Sequence, residues 1–122
     1  MDLHTLTLQV KNDIEKLKER FETTERPEDK RDREFFAYVK AETTPLYKRI
    51  QQWDEKARQF VQNREVAVHP QQVASTGENL ELLLLHSFYI DVSRKRYMEL
   101  YQSVQYVCDQ LLDDIARMKT RG

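Results

Sequence analysis

An all-α fold, an up-and-down four-helix bundle, is what this 122-residue chain predicts from three features. Apolar residues recur at three- and four-residue steps in four separate stretches. Only two glycines, Gly77 and Gly122, and three prolines punctuate them, and no stretch alternates as a strand does. The connections are short, which makes consecutive helices antiparallel neighbours. The last stretch is the clearest: Tyr97, Leu100, Tyr101, Val104, Val107, Cys108, Leu111, Ile115 and Met118 share one stripe, with Asp109, Asp113 and Arg117 behind it.

The first helix is carried by Leu3, Leu6, Val10, Ile14, Leu17 and Phe21, with Asp2 as N-cap, and runs to about Thr24. Pro27 suits a first helical position, and Glu28 and Asp29 then stand at the positive end of the helix dipole, so the second helix is expected to start there. Its apolar stripe is expected to begin at Phe35, Phe36 and Val39. Pro45 interrupts it, removing an amide donor and crowding the carbonyl four residues back. Yet Val39, Thr43, Leu46, Ile50, Trp53, Ala57 and Val61 keep one register across it, which favours a single long helix kinked at Pro45 and reaching about Arg64. Two abutting helices are the alternative.

For the third helix, Pro70 offers one start and the capping-box sequence Ser75-Thr76-Gly77-Glu78 another. The earlier start is preferred because Val73, Leu80, Leu84 and Ser87 share a face reaching back past Gly77. That glycine costs the helix about 1 kcal/mol. Around residues 89 to 92 the apolar phase shifts, and Asp91 or Ser93 can cap the fourth helix.

Residues 1 to 122 suffice for one domain, with 39% apolar residues to build one core. The 20 basic and 21 acidic residues leave a net charge of −1, so no global field recruits nucleic acid or an anionic membrane. The four-leucine run from Leu82 to Leu85 is far shorter than the roughly 20 residues that cross a bilayer. A single cysteine cannot form an internal disulfide, and no signal-peptide pattern precedes the charged amino-terminal sequence; a cytoplasmic location is expected.

The segments TPLYKRIQQWDEKARQFV, HPQQVASTGENLELLLLHSFYIDVSRKRY and MELYQSVQYVCDQLLDDI closely resemble the YppE family of small bacillar proteins, and the likeness spans essentially the whole chain. It implies a four-helix bundle in a bacterial cytoplasm. The family has no assigned function, so the resemblance brings no catalytic or binding residues with it.

The residues themselves exclude several chemistries. A di-iron bundle needs Glu-x-x-His pairs, but Val66 and Leu83 stand three before His69 and His86, and His4 is too near the terminus. Three scattered histidines and one cysteine lack zinc-site spacing, so neither metal nor other cofactor is expected. Cys108, between Val104 and Leu111 on the stripe, belongs to the core.

Two places invite function. Gln72, Asn79 and His86, seven residues apart, share one edge of the third helix. They form either a polar seam partnered by Tyr47, Tyr97 or Tyr101, or a ligand-binding cleft. Leu82, Leu85 and Tyr89 point away from the Leu80/Leu84 stripe, where a bundle helix normally presents charge. Either neighbours cover both sides of this helix, or it exposes an apolar patch.

Basic residues 94 to 96, and Arg117, Lys119 and Arg121, lie at opposite ends of a helix roughly 39 Å long, which argues against a nucleic-acid surface. The preferred function is a non-enzymatic protein-interaction or regulatory bundle using the Leu82/Leu85/Tyr89 face toward another protein or its own copies. The alternative is a small-ligand-binding or enzymatic bundle centred on His86.

Overall fold

The computed structural model describes residues 1–23, 33–62 and 65–120. Four helices follow in order: α1 (Leu3–Thr23), α2 (Arg33–Val61), α3 (Pro70–Phe88) and α4 (Arg94–Thr120). Consecutive helices are neighbours, α4 returns to α1, and α1 also touches α3 across the bundle. Among the described residues α2 and α4 make no such contact. The cross-section is therefore a flattened rhombus, with α1 and α3 on its short diagonal.

Local chemistry sets the helix ends. Asp2 Oδ1 accepts the Thr5 amide at 2.8 Å, and Ser93 Oγ accepts the Arg96 amide at 3.1 Å, each satisfying an early donor that the helix leaves open. At α3 the start is Pro70, not Ser75: the Gln72 side chain reaches back to the His69 amide at 2.9 Å. Helix α2 is continuous across Pro45, as the unbroken register predicts, and is described to Val61; its expected end at about Arg64 lies outside the described residues. Its expected start at Pro27, with Glu28 and Asp29, lies outside the described residues.

The buried face of α2 is Val39, Ile50, Trp53, Ala57 and Val61, with Thr43 and Leu46 half-buried. Phe36 departs from the expectation: it is 40% exposed and stacks on Tyr89, with ring centroids 6.2 Å apart. Gly77 is a place of close approach. A Cβ there would stand 2.9 Å from Asp54 Oδ1, so any larger residue would require that α2 carboxylate to turn aside.

The core runs unbroken through all four helices, and most of its buried polar side chains bond to another helix or to a connection. The buried Trp53 indole donates to Thr7 Oγ1 at 3.0 Å, and Thr7 in turn donates to the Leu3 carbonyl at 2.7 Å. A buried indole N–H left without an acceptor costs on the order of 1–3 kcal/mol, so this chain of bonds fixes α2 on α1. Asp114 is the other clamp. It is 2% exposed, and its two carboxylate oxygens accept the amides of Ala67 and Val68, both at 3.0 Å, tying the α2–α3 connection to α4.

Adjacent aspartates should consequently behave very differently. Asp114→Ala leaves two amides without acceptors and is expected to cost about 2 kcal/mol or more, whereas exposed Asp113→Ala should change stability by less than about 0.5 kcal/mol. Val104→Asp or Leu111→Asp, each burying a charge in the core, should cost several kcal/mol, roughly 3–5. Urea midpoints that fail to separate Asp113→Ala from the other three would show that the faces of α4 are misassigned.

Candidate functional site

The edge formed by Gln72, Asn79 and His86 is not one place. Gln72 is in the first turn of α3, where its side chain caps the helix, and His86 is in the last, where its Nδ1 meets the Ile90 carbonyl at 2.9 Å. Fourteen residues of helix separate them by about 21 Å, with half-buried Asn79 midway. Two of the three thus have work at the helix ends.

The polar seam lies elsewhere. Ser87 Oγ donates to the Leu83 carbonyl at 2.7 Å and stands 2.8 Å from the Tyr97 hydroxyl, all within the core. Of the other tyrosines considered as partners, Tyr101 turns to Glu15 on α1, and Tyr47 is 43% exposed on α2. The face formed by Leu82, Leu85 and Tyr89 divides as well. All three are half-buried; Leu82 and Tyr89 pack against the core, while Leu85 and Tyr89 also line the side that faces α2.

There they meet Thr43, Thr44, Tyr47, Lys48 and Gln51 of α2 in an open groove of about 510 Å³, mostly apolar, with Leu84 and Glu81 completing its α3 side. The Phe36–Tyr89 stack extends it toward the start of α2. A more polar hollow of about 290 Å³ continues along the same helix pair past Gly77, sharing Gln51 and Glu81 with the first. The α2 half of this site has a helical signal in the sequence, since positions 43, 44, 47, 48 and 51 share one side, but it is mixed in polarity.

A second hollow, of about 370 Å³, lies between α1 and α2 and holds the ion pair of Asp13 and Arg49, whose Nη1 donates to the two carboxylate oxygens at 2.7 and 2.8 Å. Burial pushes the Asp13 carboxyl above its ordinary value of 3.8, and Arg49 and Lys16 pull it back down. Asp13 was hidden in the sequence because it flanks Val10 and Ile14 as a solvated carboxylate would; its spacing three after Val10 is the signal that places it inward.

Metal and thiol chemistry find no support. Among the described residues no three His, Cys, Asp or Glu side chains are grouped to hold a metal ion. Cys108 is fully buried, and desolvation pushes its thiol up to about 12, far from a reactive thiolate. Two of the three basic residues at the start of α4 are engaged with carboxylates: Arg94 pairs with Glu22 at 3.0 Å and Arg96 with Glu99 at 3.5 Å. Among the described residues, no helix is long and apolar enough to cross a membrane.

Comparison with known proteins agrees with this architecture. Residues 7–115 match the model of a bacterial domain of unknown function, DUF1798. The chain belongs to the DUF1798 family. Among proteins similar to this DUF1798 chain is the uncharacterized protein YppE of Bacillus subtilis (strain 168), 27% identical over 89 residues that make up 72% of each chain. The crystal structure of YppE from Bacillus subtilis superposes with a TM-score of 0.81 at 25% identity, covering 97% of this chain and 95% of that one. The YppE-like resemblance and the four-helix fold read from the sequence therefore both hold, and these DUF1798 relatives come with no assigned function.

Two outcomes follow from the site chemistry. Because the native Asp13 carboxyl holds its proton more tightly than the unfolded chain does, stability from this group is fully present below about pH 3.8 and falls as pH rises through the native value. Arg49→Met removes the main opposing influence, so the carboxyl-carbon NMR titration of Asp13 should move to higher pH; an unmoved midpoint would remove Arg49 from this account. Chelation makes the other. Helical circular dichroism should be unchanged in EDTA, and a loss restored by one specific metal would reveal a structural ion.

Proposed function

We propose that this chain is a non-enzymatic protein-interaction or regulatory bundle of the bacterial cytoplasm, and that it works through the groove between α2 and α3. One observation carries the reading. Along this groove Leu85 and Tyr89 stay half-buried and Tyr47 and Phe36 exposed, in a setting where soluble helices normally present charge. The buried polar groups Trp53, Thr7, Ser87, Tyr97 and Asp114 are all engaged in bonds that hold helices or connections together.

The alternative of a small-ligand or catalytic cleft around His86 has weaker support, because Gln72 and His86 stand about 21 Å apart at the two ends of α3. A cytoplasmic location suits Cys108, a lone thiol enclosed in the core, which needs no oxidising compartment.

Leu85→Glu tests the reading. It puts a charge on the groove and is expected to preserve helical circular dichroism, to cost no more than about 1–2 kcal/mol, and to abolish a complex seen by sedimentation or pull-down with wild type. Leu82→Glu, on a side chain packed against the core, should destabilise the fold more. Unfolding by Leu85→Glu, together with a wild type that sediments as a monomer and captures no partner, would assign both leucines to the core and leave the His86 edge as the place to probe.

A further inference from the structure

We propose that the α2–α3 groove closes on the same groove of a second copy of this chain, forming a two-fold symmetric dimer with α2 of each copy against α3 of the other. The proposal rests on the interaction reading above and names its partner. Its ground is the way charge is divided across the groove. Lys48 stands on the α2 side and Glu81 on the α3 side, with Tyr47, Leu85 and Tyr89 among the apolar residues of the same groove.

Along the groove and the hollow that continues it, α3 presents Glu78 and Glu81 and no Lys or Arg, whereas α2 presents Lys48 and the paired Asp54 and Arg58, a net +1. A groove with one basic and one acidic side complements itself.

Symmetry then selects the arrangement. In an isologous interface every contact occurs twice, residue against partner residue and the reverse. With the two-fold axis along the groove, Lys48 meets the partner's Glu81, Glu81 meets the partner's Lys48, and the apolar residues between them face one another. An axis across the groove would instead lay α2 on α2 and α3 on α3, setting like charges against each other, which an interface avoids. Lys48, Glu81 and Tyr47 are exposed, so dimerisation needs no rearrangement of the core.

Charge exchange gives a test that folding defects do not mimic. Sedimentation velocity of wild type over a range of concentrations should show a reversible dimer. Lys48→Glu and Glu81→Lys, each at an exposed position, should leave helical circular dichroism unchanged and each raise the dimer Kd about tenfold. Mixing the two variants should restore wild-type affinity, because both contacts of the mixed dimer again join opposite charges. Combining both substitutions in one chain should do the same. A zero-length carbodiimide cross-link between Lys48 and Glu81, joining one isotope-labelled and one unlabelled chain, should appear in wild type.

A wild type that remains monomeric at its highest soluble concentration, or single variants that dimerise as tightly as wild type, would overturn the proposal. If the wild-type monomer nevertheless binds a different protein and Leu85→Glu abolishes that binding, self-association falls while the interaction reading stands. If neither contact is found, both fall together.

Discussion

Helices α1 and α3 each pack against the other three, but α3 has the broadest contacts, with α2 and α4, and retains only a narrow arc for solvent. Its sequence follows from that position. Val73, Thr76, Gly77, Leu80, Leu83, Leu84, Ser87 and Phe88 are buried, Leu82 is half-buried against the core, and the glycine appears where the Asp54 side chain of α2 lies close to it. An outer helix such as α2 needs fewer inward residues and can carry lysines and arginines over the rest of its surface. Much of the leucine excess of α3 is thus the requirement of an inner helix. The leucine that core packing does not absorb is Leu85, which lines the groove beside Tyr89.

The same central placement explains how this bundle holds its register with few polar devices. Hydrophobic stripes alone permit helices to slide by a turn, because one layer of leucines resembles the next. Here Trp53 donates to Thr7, Ser87 meets Tyr97, and Asp114 receives two amides of the α2–α3 connection; each bond has one correct partner and leaves a buried group unsatisfied if the helices shift. These few contacts tie α1 to α2, α3 to α4, and the α2–α3 connection to α4. Pro45, for its part, does not end α2. It sits at an exposed position of α2, where Val39 before it and Ile50, Trp53 and Ala57 after it anchor the helix on both sides.

What could be read from the sequence was whatever depends on periodicity within one helix. The α4 stripe from Tyr97 to Ile115, the continuity of α2 through Pro45 and the start of α3 at Pro70 are local patterns, and the structure reproduces them. Groups whose meaning depends on a second element were hidden. Asp114 sits three residues after Leu111 and therefore points inward, yet beside exposed Asp113 it reads as half of a solvated acidic pair. Gln72, by contrast, has its partner in its own first turn, the His69 amide, and was grouped with Asn79 and His86 only because the three share a helical edge. The α3 half of the groove was legible as an apolar face without charge. Its α2 half was not, because Thr43, Thr44, Tyr47, Lys48 and Gln51 mix polarities and only the pairing of the two helices gives them a common purpose.

That pairing also bears on the kind of function such a bundle can have. A catalytic bundle places titrating side chains within the space its helices enclose, where desolvation and neighbouring charges tune them. In this interior the lone thiol is driven up to about 12 by desolvation, far above neutral pH, and burial raises the Asp13 carboxyl on the α1–α2 side against the pull of its partner Arg49. Chemistry of recognition has lighter needs: an apolar floor, aromatic side chains with few degrees of freedom, and charges placed at the sides to set orientation. Tyr47, Tyr89, Leu85, Lys48 and Glu81 meet those needs on a surface built from two regular helices, where their mutual positions are fixed before any partner arrives.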